Sequence, residues 1–266
     1  AMLDAGRYYL AKQKRSLGVS DEELIRIAVR SLGLGDINPF KPEEKIIEYM
    51  LDQDKEERLI AMSLKDFMNE TASESVAPGG GSVSAYMGAL GTALGTMTAN
   101  ISGHKRGWDE RWKEFSDWAE KGKEIQNKLL ALVDEDTRAF SKILDAFGLP
   151  RTTDEEKTLR HQAVQAATRE ASLVPFRVME TAFSAFELLR YMVINGNPNS
   201  VTDSAVGALA VRSCIKGAFL NVKINTNGLD DKDFVKDLLS KGEELELKAS
   251  SEEEEILRLT ARTLGL

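Results

Sequence analysis

From Ser82 to Gly103 the chain reads SVSAYMGALGTALGTMTANISG and carries no charged side chain. A membrane span needs about 20 mostly apolar residues. This stretch is long enough, but Gly, Ser, Thr and Asn fill it, and Leu90 and Leu94 are its only leucines. The composition favours a helix buried on all sides within a helical bundle over a span. Small residues recur at helical intervals: Ser82, Ala85, Gly88, Ala89, Thr92, Ala93, Gly95, Thr96 and Ala99. A helix with such a surface lets neighbouring backbones approach closely, within a subunit or between subunits.

The rest of the chain agrees with a helical setting. Helical spacing covers 3–16 and 20–32, and Ser20 with Glu23 makes a capping-box pattern. Gly33, Gly35, Pro39 and Pro42 break the chain, a short helix is expected over 43–51, and the charged run 52–58 reads as a solvated linker. A helix from Ser63 ends before Pro78, and Gly79-Gly80-Gly81 forms a loop with Ser82 as the cap of the uncharged helix. Long helices are expected over 108–147 and, from a capping box at Thr153 and Glu156, over 153–193, with a kink or break at Pro175. Further helices are expected over 199–224, 231–249 and 251–264. No segment alternates with period two, so the fold class is all-α, a multi-helix bundle of long antiparallel helices packed through small residues.

Composition excludes several functions. With 35 Lys plus Arg against 43 Asp plus Glu the net charge is −8, which opposes non-specific nucleic-acid binding. One Cys rules out a disulfide framework and points to a reducing compartment, the cytoplasm. The N-terminus shows no signal-peptide pattern. Two His and one Cys leave little for a His/Cys metal site, although a carboxylate site stays open.

Helical phase then singles out polar residues. Leu129, Leu132, Val133, Phe140, Ile143, Leu144 and Phe147 share one face, and Asp136 falls in its middle, while Asp134, Glu135 and Arg138 point away. A carboxylate on a core face is desolvated and its pKa rises, which suits a general acid/base. Phase alone accommodates an Asp paired to a neighbouring helix equally well. A second face gathers Asp203, Val206, Gly207, Ala210, Cys214, Gly217, Ala218, Asn221 and Asn225. Its polar members are either interhelical hydrogen-bonding groups or a pocket wall, and Cys214 reads as core. Gly79 to Ser82 at a helix start can hold an anion, though without the features of a P-loop. His104-Lys105-Arg106 is a basic trio that either closes a helix or holds carboxylates.

Four segments in order, SESVAPGGGSVSAYMGALGTALGTMTANIS, LVDEDTRAF, GNPNSVTDSAVGALA and GAFLNVKINTNGL, resemble the cyclodeaminase domain of formimidoyltransferase-cyclodeaminases. The resemblance runs from about Ser63 to the last helix, giving a cyclodeaminase domain over 63–266. AMLDAGRYYL and LGLGDINPFKPEEKIIEYML in residues 1–62 resemble the tail of the formimidoyltransferase domain plus its linker. The chain is therefore expected to be the C-terminal part of a bifunctional enzyme.

The resemblance implies conversion of 5-formimidoyltetrahydrofolate to 5,10-methenyltetrahydrofolate with release of ammonia. It implies no metal, nucleotide or other cofactor. It also implies homodimers at least, ring-like tetramers of dimers in the bifunctional enzyme, and a folate site at a subunit interface. The family's catalytic aspartate corresponds to Asp136, the residue that phase had selected. Carried over as pocket residues are Gly79, Gly80, Gly81, Ser82, Asn197, Asn199, Asp203, Asn221 and Asn225. His104, Lys105 and Arg106 are the expected dock for the anionic glutamate tail of the folate. The alternatives are a methenyltetrahydrofolate cyclohydrolase on the same fold and a non-catalytic oligomerisation module.

Overall fold

The computed structural model describes residues 1–36, 38–46 and 59–266 of the chain. The linker expected at 52–58 and most of the helix expected at 43–51 lie outside these residues. Ten α-helices are described: α1 Met2–Lys12, α2 Asp21–Ser31, α3 Pro42–Lys45, α4 Leu64–Thr71, α5 Gly80–Gly103, α6 Trp112–Gly148, α7 Asp154–Phe183, α8 Ala185–Asn195, α9 Val201–Thr226 and α10 Lys232–Leu264. Short 3₁₀ turns join some of them, and no strand occurs among the described residues.

The uncharged helix α5 sits between α6 and α9, antiparallel to both. Ser82 meets Val133 at one end of the α5–α6 pair, and Thr96 meets Gly122 further along. Along α9, Gly80 meets Asn221, Gly91 meets Gly207, and Thr98 meets Ser204. At the crossing, a Cβ on Gly91 would stand 2.6 Å from the Gly207 carbonyl oxygen, and one on Gly207 would stand 2.7 Å from that of Gly91. The two backbones touch there, which only glycine permits. The small-residue expectation for α5 is thus met within a single chain.

Below this pair, α7, α8 and α10 close the core. Leu129, Val133, Val174, Met179, Phe186, Leu189, Ile215 and Ile256 are fully buried in it. Cys214 is buried there too, and desolvation pushes its thiol up to about 12, in keeping with a packing role. The turn and helix Pro198–Thr226 are apolar and long enough to cross a membrane, at a mean hydropathy of 1.3. That helix is the bundle's central α9, flanked by α5, α7, α8 and α10.

Several boundaries differ from the sequence expectations. Ser82 is not a cap: α5 starts at Gly80 with Gly79 as its N-cap, which turns the Ser82 side chain into the protein. Pro175 does not break α7, which runs to Phe183; the chain turns instead at Ser184. The two helices expected after Asn227 are one continuous α10, capped at its start by Asp231. The capping box at Thr153 and Glu156 is present in full. At α2 half of it forms: Ser20 accepts from the Glu23 N–H, while the Glu23 carboxylate turns to Arg26.

Helices α1 and α2 form a hairpin around Leu10, Leu24 and Ile27. It docks on the bundle through backbone: the Leu17 N–H donates to Ser116 Oγ at 2.9 Å, and Asn100 Nδ2 donates to the Gly18 carbonyl at 3.0 Å. Arg7 adds an ion pair with Glu120 at 2.7 Å.

Candidate active site

At the N-terminal end of α5 the structure brings together Gly79, Gly80, Gly81, Ser82, Asp136, Asn221 and Asn225. All but Ser82 line a cleft of about 270 Å³, with Val76, Ala77, Thr137, Phe140, Ala171 and Ile224 as the remaining walls. Each helix supplies what its local geometry allows. The first N–H groups of α5 have no partner within the helix and point outward. Asp136 approaches them from the middle of α6. A Cβ on Gly81 would lie 2.2 Å from Asp136 Oδ1, so the absence of a side chain at Gly81 makes room for the carboxylate.

The anion expected at this helix start is therefore one of the protein's own groups. Ser82 Oγ lies 3.1 Å from Asp136 Oδ2 and 3.0 Å from the Val133 carbonyl oxygen. The Ser82 backbone N–H also faces the carboxylate. Burial raises the Asp136 pKa from its ordinary value, and the hydroxyl and N–H of Ser82 pull it partly back. Burial prevails. Asp136 is the one titratable side chain among the residues described as lining the cleft. A desolvated carboxyl group that lines a cleft in this way is placed to serve as a general acid/base.

The two asparagines of α9 close the opposite wall. Asn221 Nδ2 donates to the Gly217 carbonyl at 3.0 Å and rests against Gly80. Asn225 Nδ2 donates to the Ala171 carbonyl at 2.8 Å. Both amides are thus held by the bundle, with their faces along the cleft.

Two expectations about neighbouring acidic residues need correction. Asp134 does not point away to solvent. It is 7% exposed, and its Oδ1 accepts the Leu59 N–H at 2.9 Å, anchoring the segment that leads into α4. A single phase angle missed it because α6 is covered on more than one face. The stripe around Asp136 is also less buried than its periodicity suggests. Phe140 is 40% exposed and lines the cleft, and Leu144 and Phe147 are more exposed still, while Ile143 of the same stripe packs against the core. Glu135 pairs with Arg177 of α7.

The other candidates lie elsewhere. His104, Lys105, Arg106, Asn197, Asn199 and Asp203 sit at the far end of α5 and the start of α9. Helix α5 has 24 residues, which separates the two groups by about 36 Å within one chain. His104 Nε2 accepts the Ser16 N–H at 3.4 Å, and burial together with Arg15 lowers its pKa. Lys105 stands over the Trp108 ring at 4.0 Å. Arg106 is exposed. The Asn197 N–H donates to Ser102 Oγ at 2.8 Å and its Oδ1 accepts from the Asn199 N–H, a loop-shaping role. Asp203 is half-buried in the first turn of α9. The basic trio is therefore no part of the Asp136 cleft of its own chain. Val76, Ala77, Thr137, Ala171 and Ile224 were missed from the sequence; Phe140, four residues after Asp136, was placed on its face but read as core.

Residues 63–244 match the family described as formiminotransferase-cyclodeaminase, and residues 1–52 match its formiminotransferase domain. Over 235 residues the chain is 36% identical to the mouse formimidoyltransferase-cyclodeaminase, covering 88% of this chain and 43% of that protein. The chain thus spans less than half the length of such relatives. It is 31% identical to a methenyltetrahydrofolate cyclohydrolase of Methylorubrum extorquens, over 73% of this chain and 93% of the relative. Among solved structures, a formiminotetrahydrofolate cyclodeaminase of Thermotoga maritima superposes with a TM-score of 0.63 at 27% identity, over 77% of this chain and 96% of that one. The helical bundle, the glycine start of α5 and the match over most of the chain place this protein in the formiminotransferase-cyclodeaminase family.

Proposed function

We propose that the chain is a formimidoyltetrahydrofolate cyclodeaminase, an ammonia lyase that closes 5-formimidoyltetrahydrofolate to 5,10-methenyltetrahydrofolate. The observation that carries this reading is the raised carboxyl of Asp136, set against the glycine start of α5 inside a cleft.

The reaction needs one proton moved over a short path. In the substrate the formimino group on N5 is protonated. N10 attacks its carbon, the N10–C bond forms, and the C=N electron pair moves onto the exocyclic nitrogen. N10 then bears an excess proton, which the ionised Asp136 takes up. Asp136 returns that proton to the exocyclic amine, the C–N bond breaks, and ammonia leaves as the methenyl cation forms. Holding N10 against the formimino carbon supplies a large share of the rate. Phe140 and Ile224 offer apolar walls for the ring system, and Asn221 and Asn225 offer polar edges to orient it.

On this reading the enzyme uses no metal or other cofactor, and it acts in the cytoplasm. It works as a homodimer or larger homo-oligomer, in concert with a formimidoyltransferase domain. Leu90, Met97 and Ile101 on α5 and Val206 and Leu209 on α9 supply an exposed apolar face suited to a second copy. A glutamate tail would not reach Lys105 and Arg106 of the same chain from the Asp136 cleft unless it ran the length of the bundle.

The cyclohydrolase relative supports a second reading, in which the cleft opens the methenyl ring by hydration. Supplying each folate separately decides between them. Growth of the methenyltetrahydrofolate absorbance from the formimino substrate supports cyclodeaminase. Its loss when methenyltetrahydrofolate is supplied, with no product from the formimino compound, supports the hydrolase.

A further inference from the structure

Ser82 is fully buried, and its hydroxyl has one proton and two close acceptors, with Thr137 Oγ1 a more distant third neighbour. The Val133 carbonyl oxygen is 3.0 Å away and Asp136 Oδ2 is 3.1 Å away. A hydroxyl can also accept while it donates. The Val133 carbonyl belongs to the α6 ladder and has a second lone pair to offer. We propose that Ser82 is a positioning residue whose hydroxyl turns between these two acceptors as Asp136 loses and regains its proton.

The two states can be written out. With Asp136 ionised, Ser82 O–H donates to Oδ2. When Asp136 takes the N10 proton, its own O–H donates to Ser82 Oγ, and the serine proton turns to Val133. Every buried donor and acceptor keeps a partner in both states, so neither protonation state bears the cost of an unpaired buried group. The Ser82 backbone N–H and the close wall at Gly81 stay fixed, so the carboxyl group holds its place while the proton moves. Thr137 Oγ1, 3.4 Å from Ser82 Oγ, flanks the pair on the cleft side.

Charged groups on the packed elements are engaged elsewhere or exposed. Helix α5 offers none beside Ser82. On α6, Glu135 pairs with Arg177 of α7, Lys142 pairs with Glu170 of α7, and Arg138 is exposed. On α9, Lys216 is exposed and Lys223 stands over Phe219 at 4.0 Å. The titration of Asp136 is therefore governed by burial and by Ser82.

This role rests on Asp136 being the proton carrier proposed above. The test compares wild type, Ser82→Ala and Ser82→Cys in three measurements: the pH profile of kcat, the ¹³C carboxyl titration of Asp136 in the ligand-free protein, and thermal melting. Loss of the hydroxyl removes a partner from both forms, and the ionised form loses more because its hydrogen bond is charge-assisted. The acid limb of kcat and the ¹³C midpoint should both move to higher pH in Ser82→Ala, and kcat near neutral pH should fall about tenfold with KM nearly unchanged. Ser82→Cys, a weaker donor of similar size, should lie between. A limb and midpoint that stay in place overturn the proposal, even if the variant melts lower, since that is what a packing role alone would give. Should Ser82→Ala fail to fold, Ser82→Cys decides by the same criteria. If wild type makes no methenyl product, the cyclodeaminase reading fails, and the ¹³C midpoints still decide whether Ser82 tunes Asp136.

Discussion

The Asn225 amide donates to the Ala171 carbonyl at 2.8 Å, and that is the carbonyl four residues before Pro175. A proline has no N–H to give it. The side chain of α9 therefore completes the hydrogen-bond ladder of α7 where the proline interrupts it, and α7 passes through Pro175 as one helix. The same contact holds Asn225 on the cleft wall. Asn225→Ala should destabilise the fold by about 1 kcal/mol, because a part-buried carbonyl loses its donor. In a Pro175→Ala background the backbone N–H returns, and the cost of Asn225→Ala should shrink. Urea unfolding of the four proteins in a double-mutant cycle measures it, and equal costs in both backgrounds would refute the link.

Gly81→Ala places a methyl group where Asp136 Oδ1 now lies, at 2.2 Å from the built Cβ. The carboxyl must move or the α5 start must bend. Turnover is expected to fall about 100-fold, since small misplacements at a reacting group carry costs of that order. Steady-state kinetics with a melting control tests this; a folded Gly81→Ala protein with wild-type kcat would contradict the proposed geometry.

Asp136→Asn should abolish turnover while folate binding, followed by ligand fluorescence or calorimetry, survives. A stability effect of opposite sign is also expected. The folded-state pKa of Asp136 is raised above its unfolded value, so its contribution favours the fold at low pH and is lost as pH rises through the folded pKa. Above the folded pKa the ionised, desolvated form is therefore a burden that Asn removes. The variant should melt above wild type at pH 7, and the difference should fade on acidification below the ordinary carboxylate range. A lower melting temperature at pH 7 would show that the Ser82 contacts outweigh burial.

Asp134 makes a different kind of contact from its neighbour two residues on. Asp134→Ala leaves the buried Leu59 N–H without its acceptor, at a cost of about 1–3 kcal/mol. Hydrogen exchange at Leu59 should accelerate well before global unfolding. If that amide keeps its protection, the bond does not anchor the segment before α4.

Leu90→Lys or Val206→Lys puts a charge on the exposed apolar face of α5 and α9. Such a charge would be desolvated on association. Sedimentation velocity should show a smaller species than wild type, at unchanged helicity. Unchanged sedimentation would move the subunit interface to another face.

The all-helical fold was legible in the sequence because its signals are local: caps at Ser20 and Thr153, breaks at Gly33 and Pro78, and helical spacing between them. Asp136 was legible for a related reason, since phase within one helix reports which side chains share a face. What escaped depends on neighbours that phase does not see. Asp134 is buried because a distant loop lies over it, and Phe140 is open because nothing does. The continuity of α7 through Pro175 required Asn225, 50 residues away, and no local rule contains that residue. The motif residues split between the two ends of α5 for the same reason. Order along a chain does not reveal that two antiparallel helices carry their starts to opposite ends.

The docking of the α1–α2 hairpin on α6 sets a distance for any traffic into the cleft. Arg7 grips α6 at Glu120, and about 24 Å of helix lies between Glu120 and Asp136. A catalytic unit joined ahead of α1 would be tied to the bundle at that grip, a long stretch of rigid helix away from the cleft. A product handed on without escaping to solvent would have to travel along the outside of the bundle or enter the cleft of an adjacent copy. The length of one helix thus decides whether two consecutive reactions in a chain of this design share a room or only a corridor.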